Sequence, residues 1–256
     1  MNIMIFDTET TSLDKPFCYN IGYAIVNTET SETLLERDFV CEQVWHNPML
    51  FTTAYYADKR DIYVASMRQR KTKMDKFGYI CQQMIRDIKN FEVASAYAYN
   101  SPFDEKVFNF NCDWFKCNNP FDNVPIYDIR GYAHHYICDG VFKDWCETYN
   151  AFSDSGNYST TAENVYRYIT NDIDFIEEHT ALSDSRIETT ILLFALDMGA
   201  EVGTEYKPFR TIARPQKKVF TVKYNGDEIL SKEFFFDICG FNELLFCLLS
   251  YNEFSS

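Results

Sequence analysis

The sequence predicts an α/β protein: a mixed five-stranded sheet flanked by helices, with a β-hairpin and a helix appended at the C-terminal end. Three observations carry this. The chain opens on a nearly continuous apolar run, Asn2 to Phe6, as expected of a central strand buried on both faces. Short β-like runs then alternate with helical ones in the order β-β-β-α-β-α-β-α. Near the end, Asn225-Gly226 separates two alternating runs, the pattern of a type I′ hairpin, whose turn needs two positive-φ residues. The composition agrees: in 256 residues, 46% are hydrophobic and 24% charged, which excludes wholesale disorder. With 9 Gly and 7 Pro, collagen-like and low-complexity organisations are excluded as well.

Taken in order, Cys18 to Val26 and Thr33 to Val40 are two further strands, joined by the polar turn Thr28 to Ser31. Three strands so close in sequence form an antiparallel meander. A polar and aromatic stretch follows, to Lys76. A helix then runs through Lys89, with Phe77, Ile80, Cys81, Met84, Ile85 and Ile88 on one stripe. Val93 to Tyr99 is a strand, a helix starts near Pro102, Val124 to Tyr127 is a short strand, and helices fill Ile129 to about Gly199. Lys218 to Tyr224 and Glu228 to Glu233 are the hairpin strands, and Phe241 to Leu249 is a closing helix. The expected division is therefore 1–202 for the main domain and 203–256 for the extension.

The net charge of -14 argues against simple electrostatic binding to nucleic acid, but the charge is unevenly spread. Between Lys59 and Lys76 stand seven bases, Arg70, Lys71 and Lys73 among them, and two acids. Between Lys207 and Lys223 stand six bases and no acid. Two basic islands in an acidic chain suit the flanks of an anionic substrate. The 9 cysteines are odd in number and form no CxxC pair, so they read as reduced thiols of a cytoplasmic protein. Cys112, Cys117, His134, His135 and Cys138 match no standard zinc module and read as buried thiols and surface imidazoles. No apolar run approaches the length of a membrane span, and no signal peptide is expected ahead of the first strand.

Carboxylates fall in three telling places. In the first strand Ile3, Ile5, Asp7 and Glu9 share a face, so two acids continue an apolar row at the carboxyl end of a central strand. Like charges this close repel unless a cation lies between them, and a hard divalent cation with oxygen ligands is the natural solution. In Tyr99-Asn100-Ser101-Pro102-Phe103-Asp104, Ser101 is the expected N-cap, Pro102 the first helical residue, and Asp104 lies in the first turn. In the third place, His179 precedes a helix on which Asp184, Ile187, Ile191, Phe194, Ala195 and Met198 share a stripe, so Asp184 heads the buried face.

Together these segments resemble the DEDD superfamily of 3′–5′ exonucleases, DnaQ-like proteins with a ribonuclease-H-like core. The matching residues are D-T-E-T-T at Asp7 to Thr11, N-S-P-F-D at Asn100 to Asp104 and H-T-A-L-S-D at His179 to Asp184. The H-x4-D form is similar to the DEDDh branch, and the resemblance covers roughly residues 1 to 200. Two features depart from it: Tyr99 stands where many relatives carry His, and the stretch from Cys41 to Asp75 is longer than a minimal core needs. Tyr168 and Asp172 also satisfy Y-x3-D, the signature of the tyrosine branch. The long helix after Asp184 favours the histidine motif.

The resemblance implies a metal-dependent 3′–5′ exonuclease that shortens single-stranded DNA from its 3′ end. RNA trimming and a catalytically silent nucleic-acid-binding protein on the same fold are the alternatives. It implies two Mg²⁺ or Mn²⁺ ions on Asp7, Glu9, Asp104 and Asp184, with Asp7 bridging both, and His179 as general base. It places the loop of Thr10, Thr11 and Leu13 against the terminal nucleotide, and Asn100 is expected to bind nucleic acid too. Leu13 and Phe103 are the candidates for packing on the 3′ base, and the basic island of Arg70, Lys71 and Lys73 is expected on upstream phosphates. A protein partner or a homodimer remains open. The compact chain, with no polymerase segment, is expected to act as a stand-alone bacterial or phage-type protein.

Overall fold

A computed structural model describes residues 1–52, 54, 57–215, 217–224 and 227–235, the last two as backbone. The chain forms two compact units. One comprises 1–151 with 159–210, the other 152–158 with 211–256.

The first unit is built on a six-stranded sheet of β1 (Asn2–Thr10), β2 (Cys18–Asn27), β3 (Glu32–Cys41), β4 (Lys73–Asp75), β5 (Ser95–Ala98) and β6 (Ile126–Asp128). Their order is β4-β3-β2-β1-β5-β6. β1, β2 and β3 form the antiparallel meander, while β5 runs parallel to β1, β6 to β5, and β4 to β3. The expected five strands are thus joined by a sixth, β4, at the edge. It has three residues inside a basic, polar stretch, too few to show alternation.

The connections include α1 (Glu42–Trp45), α2 (Pro48–Phe51), a 3₁₀ turn at Ala57–Lys59 and α3 (Arg60–Arg68). α4 (Phe77–Asn90) and α5 (Ser101–Phe115) then precede α6 (Ile129–Tyr136), α7 (Gly140–Tyr149), α8 (Ala162–Thr170) and α9 (Ala181–Asp197). Strand alternation sends Met4 and Phe6 toward one side, where the Phe6 ring stacks on Phe121 at 4.4 Å and meets Phe108 of α5 at 5.7 Å. Ile3 and Ile5 point to the other side, where α9 crosses β1 and β2 and is itself flanked by α6 and α8. Ile3 through Phe6 are fully buried, as a central strand requires.

Three local expectations change. The α4 stripe holds for Phe77, Ile80, Cys81 and Met84, but Ile85 is exposed and its place inside is taken by Asp87. Asp87 is buried because it accepts from Tyr23 Oη at 2.7 Å and pairs with Arg37 at 2.6 Å. At α5 the N-cap is Asn100, in the left-handed region at φ 65°, rather than Ser101. The reason is Asp128, whose Oδ1 accepts the Asn100 amide at 2.9 Å and so draws the chain into the helix one residue early. On α9, Met198 is exposed, while Glu188 is buried among the helices.

In the second unit β7 (Lys217–Tyr224) and β8 (Asp227–Phe235) pair antiparallel from Lys217↔Phe235 to Tyr224↔Asp227. Asn225-Gly226 and the helix expected at Phe241 to Leu249 lie outside the described residues. Tyr158 bridges Phe152 and Ile212 in the same unit. Among the described residues no helix is long and apolar enough to cross a membrane.

Candidate metal centre

β1 does not stop at Phe6. It pairs with β2 as far as Thr10↔Cys18, so Asp7 and Glu9 both stand on strand backbone and share one face. Opposite Asp7 on β2 is Gly22, and α9 begins directly above it. A Cβ on Gly22 would lie 2.0 Å from the Leu182 backbone nitrogen, so only glycine lets the helix come this close. Two hydrogen bonds fasten the approach: the Ala181 amide donates to Asn20 Oδ1 at 2.8 Å, and Ser185 Oγ donates to the Gly22 carbonyl at 3.0 Å. The result is that oxygen atoms of Asp7, Glu9 and Asp184 lie within 4.8 Å of one another.

Asp184 belongs to a second group as well, with ligand atoms of Glu177 and His179 within the same 4.8 Å. His179 sits at φ 53°, one residue outside the α9 N-cap Thr180, and its Nδ1 lies 3.5 Å from Glu177 Oε2. The segment is stitched back onto α8. Arg167 Nε donates to the Phe175 carbonyl at 2.7 Å, and the Glu177 amide donates to Glu163 Oε1 at 3.2 Å. Asp104 arrives from the first turn of α5, 3% exposed, and accepts from Thr8 Oγ1 at 2.6 Å.

The electrostatics are those of too many acids in too little water. Burial, with Glu177 nearby, pushes Asp7 up to about 7. Burial and Asp7 push Glu9 up to about 9, and burial and Asp7 push Asp184 up to about 10. Asp104 is held well above the ordinary carboxylate range by burial and then by Asp7. For His179 burial comes first and the Lys59 ammonium second, and both lower its pKa.

Three participants carry no motif. Glu188, one turn past Asp184 and 3% exposed, is held well above its ordinary range by burial and by Asp7, Asp104 and Asp184. Its i,i+4 spacing from Asp184 is the signal that could have revealed it. Glu177 lies in an irregular loop, and no periodicity marks it. Lys59, at the end of the 3₁₀ turn, donates to the Glu178 carbonyl and opposes the charge of Glu9, Glu177 and Asp184.

The donor set fits a hard divalent cation. It is all oxygen apart from one imidazole, and Asp184 Oδ1 and Glu188 Oε2 are buried with no hydrogen-bond partner. A cation would satisfy such atoms and relieve the repulsion that raises every carboxylate around them.

The other expected site residues are spread more widely. Thr11 is buried, and the loop after it is pinned where the Thr11 amide donates to the Phe17 carbonyl at 3.0 Å and Lys106 Nζ donates to the Leu13 carbonyl at 2.7 Å. Thr10 is half-buried and Leu13 is 75% exposed. Asn100 is exposed, and Phe103 is half-buried against the core. Arg70, Lys71 and Lys73 are all exposed where α3 gives way to β4. Lys71 lines a cavity of about 670 Å³ whose other walls include Tyr63, Thr180, Ser183 and Arg186, so it reaches the head of α9. Tyr168 packs against the rings of Phe142 and Trp145, and Asp172 is exposed.

No protein-family model matches the sequence, and no curated protein matches it. Solved structures do. The nuclease domain of 3′hExo, a DEDDh family member bound to rAMP, superposes with TM-score 0.51 at 17% identity, over 77% of this chain and 92% of that one. A 3′-exonuclease in 3′-end specific recognition of a histone mRNA stem-loop gives 0.52 at 13% identity, over 90% of each chain. The cell-death related nuclease CRN-4 gives 0.52 at 12% identity, over 78% of this chain and 64% of that one. At these identities the likeness establishes the fold: the chain has the ribonuclease-H-like architecture seen in DEDDh 3′ exonucleases.

Proposed function

We propose that this chain is a metal-dependent 3′–5′ exonuclease acting on single-stranded DNA by two-metal-ion hydrolysis. The observation that carries the reading is the convergence of Asp7, Glu9 and Asp184 within 4.8 Å, with His179 of the second group beside Asp184. A structural role alone would not gather buried acids and leave two of their oxygens without partners.

In this reading Asp7, Glu9 and Asp184 hold one cation, and Asp7 with Asp104 holds the other. The cations supply, when bound, an activated water and charge stabilisation for the attacking and leaving oxygens of an in-line displacement. The protein's own groups do the rest. Thr8 fixes the Asp104 carboxylate through its 2.6 Å hydrogen bond. His179 takes the proton of the attacking water. Glu177, 3.5 Å from Nδ1, orients the ring and stabilises the imidazolium, which leaves Nε2 as the atom that receives the proton. Leu13 and Phe103 form the platform for the terminal base, since stacking on apolar surface is sequence-tolerant. The cavity beside Lys71 is the path for upstream phosphates.

The test uses 5′-labelled single-stranded DNA and RNA of equal sequence, with Mg²⁺ or Mn²⁺, against EDTA and an Asp7→Ala variant. A ladder that shortens from the 3′ end, absent in both controls, is expected. Faster loss of the RNA strand would move the substrate to RNA. No cleavage of either strand with metal bound would overturn the enzymatic reading.

A further inference from the structure

Three thiols converge on the opposite side of the sheet from α9. Cys81 of α4, Cys112 in the last turn of α5 and Cys117 just beyond that helix bring their sulfurs within 4.8 Å of one another. The convergence is built by the backbone. α5 ends at the left-handed residue Lys116, φ 55°, which turns the chain so that the Cys117 amide donates to the Cys112 carbonyl at 3.1 Å. On α4, Gly78 lies one turn before Cys81, and a Cβ there would stand 3.3 Å from Cys117 Cβ. Glycine thus leaves the space that Cys117 occupies. Phe77 and Phe115, with ring centroids 5.5 Å apart, close the same two helix ends.

Cys81 is 1% and Cys112 7% exposed, whereas Cys117 is half-buried, which provides a way in. Buried thiols usually act as small apolar groups and need no partner. What sets these apart is number and geometry. Three sulfurs about 2.3 Å from one ion lie about 4 Å apart, so only a small closure separates this arrangement from a coordination sphere. Of Cys112, Cys117, His134, His135 and Cys138, the first two are gathered here, while the two imidazoles are engaged elsewhere and His134 is buried rather than at the surface. His134 Nε2 lies 2.9 Å from Thr160 Oγ1 and its Nδ1 accepts from the Phe209 amide, while His135 pairs with the Lys207 carbonyl. Cys81, 31 residues before Cys112, is the member that no local spacing reveals.

We propose that Cys81, Cys112 and Cys117 form a tri-thiolate site for Zn²⁺, with water as the fourth ligand. Each thiol releases its proton to solvent as its Zn–S bond forms, so affinity rises with pH. Thiolate selects this ion over Mg²⁺ and Mn²⁺, which the oxygen cluster prefers, so the two centres sort metals by ligand softness. The site joins α4 to the end of α5 and does not depend on the exonuclease reading.

The test titrates Cd²⁺, the spectroscopic substitute for Zn²⁺, into the reduced full-length protein with Mg²⁺ in excess. A sulfur-to-cadmium charge-transfer band should grow to one equivalent and be displaced by Zn²⁺. Cys117→Ser, on a half-buried residue beyond the helix, should keep the circular-dichroism spectrum of the parent and weaken Cd²⁺ binding by more than the about tenfold that losing an outer-shell partner alone costs. Cys112→Ser should abolish the band, and Gly78→Ala should weaken it by displacing Cys117. Absence of the band in the parent, or a band undiminished in both Cys117→Ser and Cys81→Ser, would overturn the site.

Discussion

Glu188 is a carboxylate 3% exposed, with one oxygen without a partner, facing Asp7, Asp104 and Asp184. Glu188→Gln keeps the shape and removes the charge. The metal-free protein should gain stability, by about 1 kcal/mol or more at neutral pH, because folding no longer has to protonate a carboxylate that is charged in the unfolded chain. Divalent cation affinity should fall at the same time. Thermal unfolding in EDTA checks the first effect, and Mn²⁺ binding followed by electron paramagnetic resonance checks the second. A drop in both would reduce Glu188 to a packing residue. His179 makes the complementary case. His179→Ala should lose most turnover while retaining Mn²⁺, and unchanged activity would transfer the base role to solvent. Since burial and Lys59 both lower the imidazole pKa, the acid limb of kcat/KM should lie below the free imidazole value of about 6.5. The four acids and the histidine were legible in the sequence because each sits where a strand ends or a helix begins. Glu177 and Lys59 were not, since both come from irregular chain that only folding brings to the cluster.

At the scale of elements, the site depends on one close crossing, α9 over β2. Gly22→Ala would put a methyl group 2.0 Å from the Leu182 nitrogen, and that neighbour is backbone that cannot rotate away. The head of α9 must lift, carrying Asp184 from Asp7. The expected cost is about 1–3 kcal/mol or more, with loss of both metal affinity and activity. Gly140→Ala at the start of α7 is the control, because a Cβ there meets nothing within 4 Å; it should unfold at the parent temperature or slightly above. Unfolding curves and Mn²⁺ binding for the two variants distinguish a positioning role for Gly22 from simple intolerance of alanine. The sequence showed that a helix follows His179, and it placed Asp184 on the buried side. It could not show that α9 is enclosed on several sides, because Ser185, Glu188 and Thr189 read as polar while hydrogen bonds and neighbouring acids bury them. β4 was hidden for the opposite reason: its three residues owe their strand state to pairing with β3 and not to any pattern of their own.

For the molecule as a whole, the acid cluster couples stability to pH and to metal. Asp7 and Glu177 are raised to about 7, Glu9 to about 9 and Asp184 to about 10, each chiefly by burial. In the unfolded chain these groups titrate at about 4. Between those limits the folded protein holds more protons than the unfolded one, so unfolding free energy falls as pH rises. The contribution is complete below about pH 4 and is lost as pH climbs through the folded values, the reverse of a salt-bridged carboxylate. A divalent cation substitutes for those protons and stabilises by mass action, and protonation competes with it less as pH increases. In EDTA the unfolding temperature should therefore decline from about pH 5 to about pH 8, while the increment added by Mn²⁺ should grow over the same range. Differential scanning calorimetry in both series measures this directly. An unfolding temperature in EDTA that holds level or rises with pH would mean that the acids are charged and compensated without metal, and the centre would then be an ion-pair network.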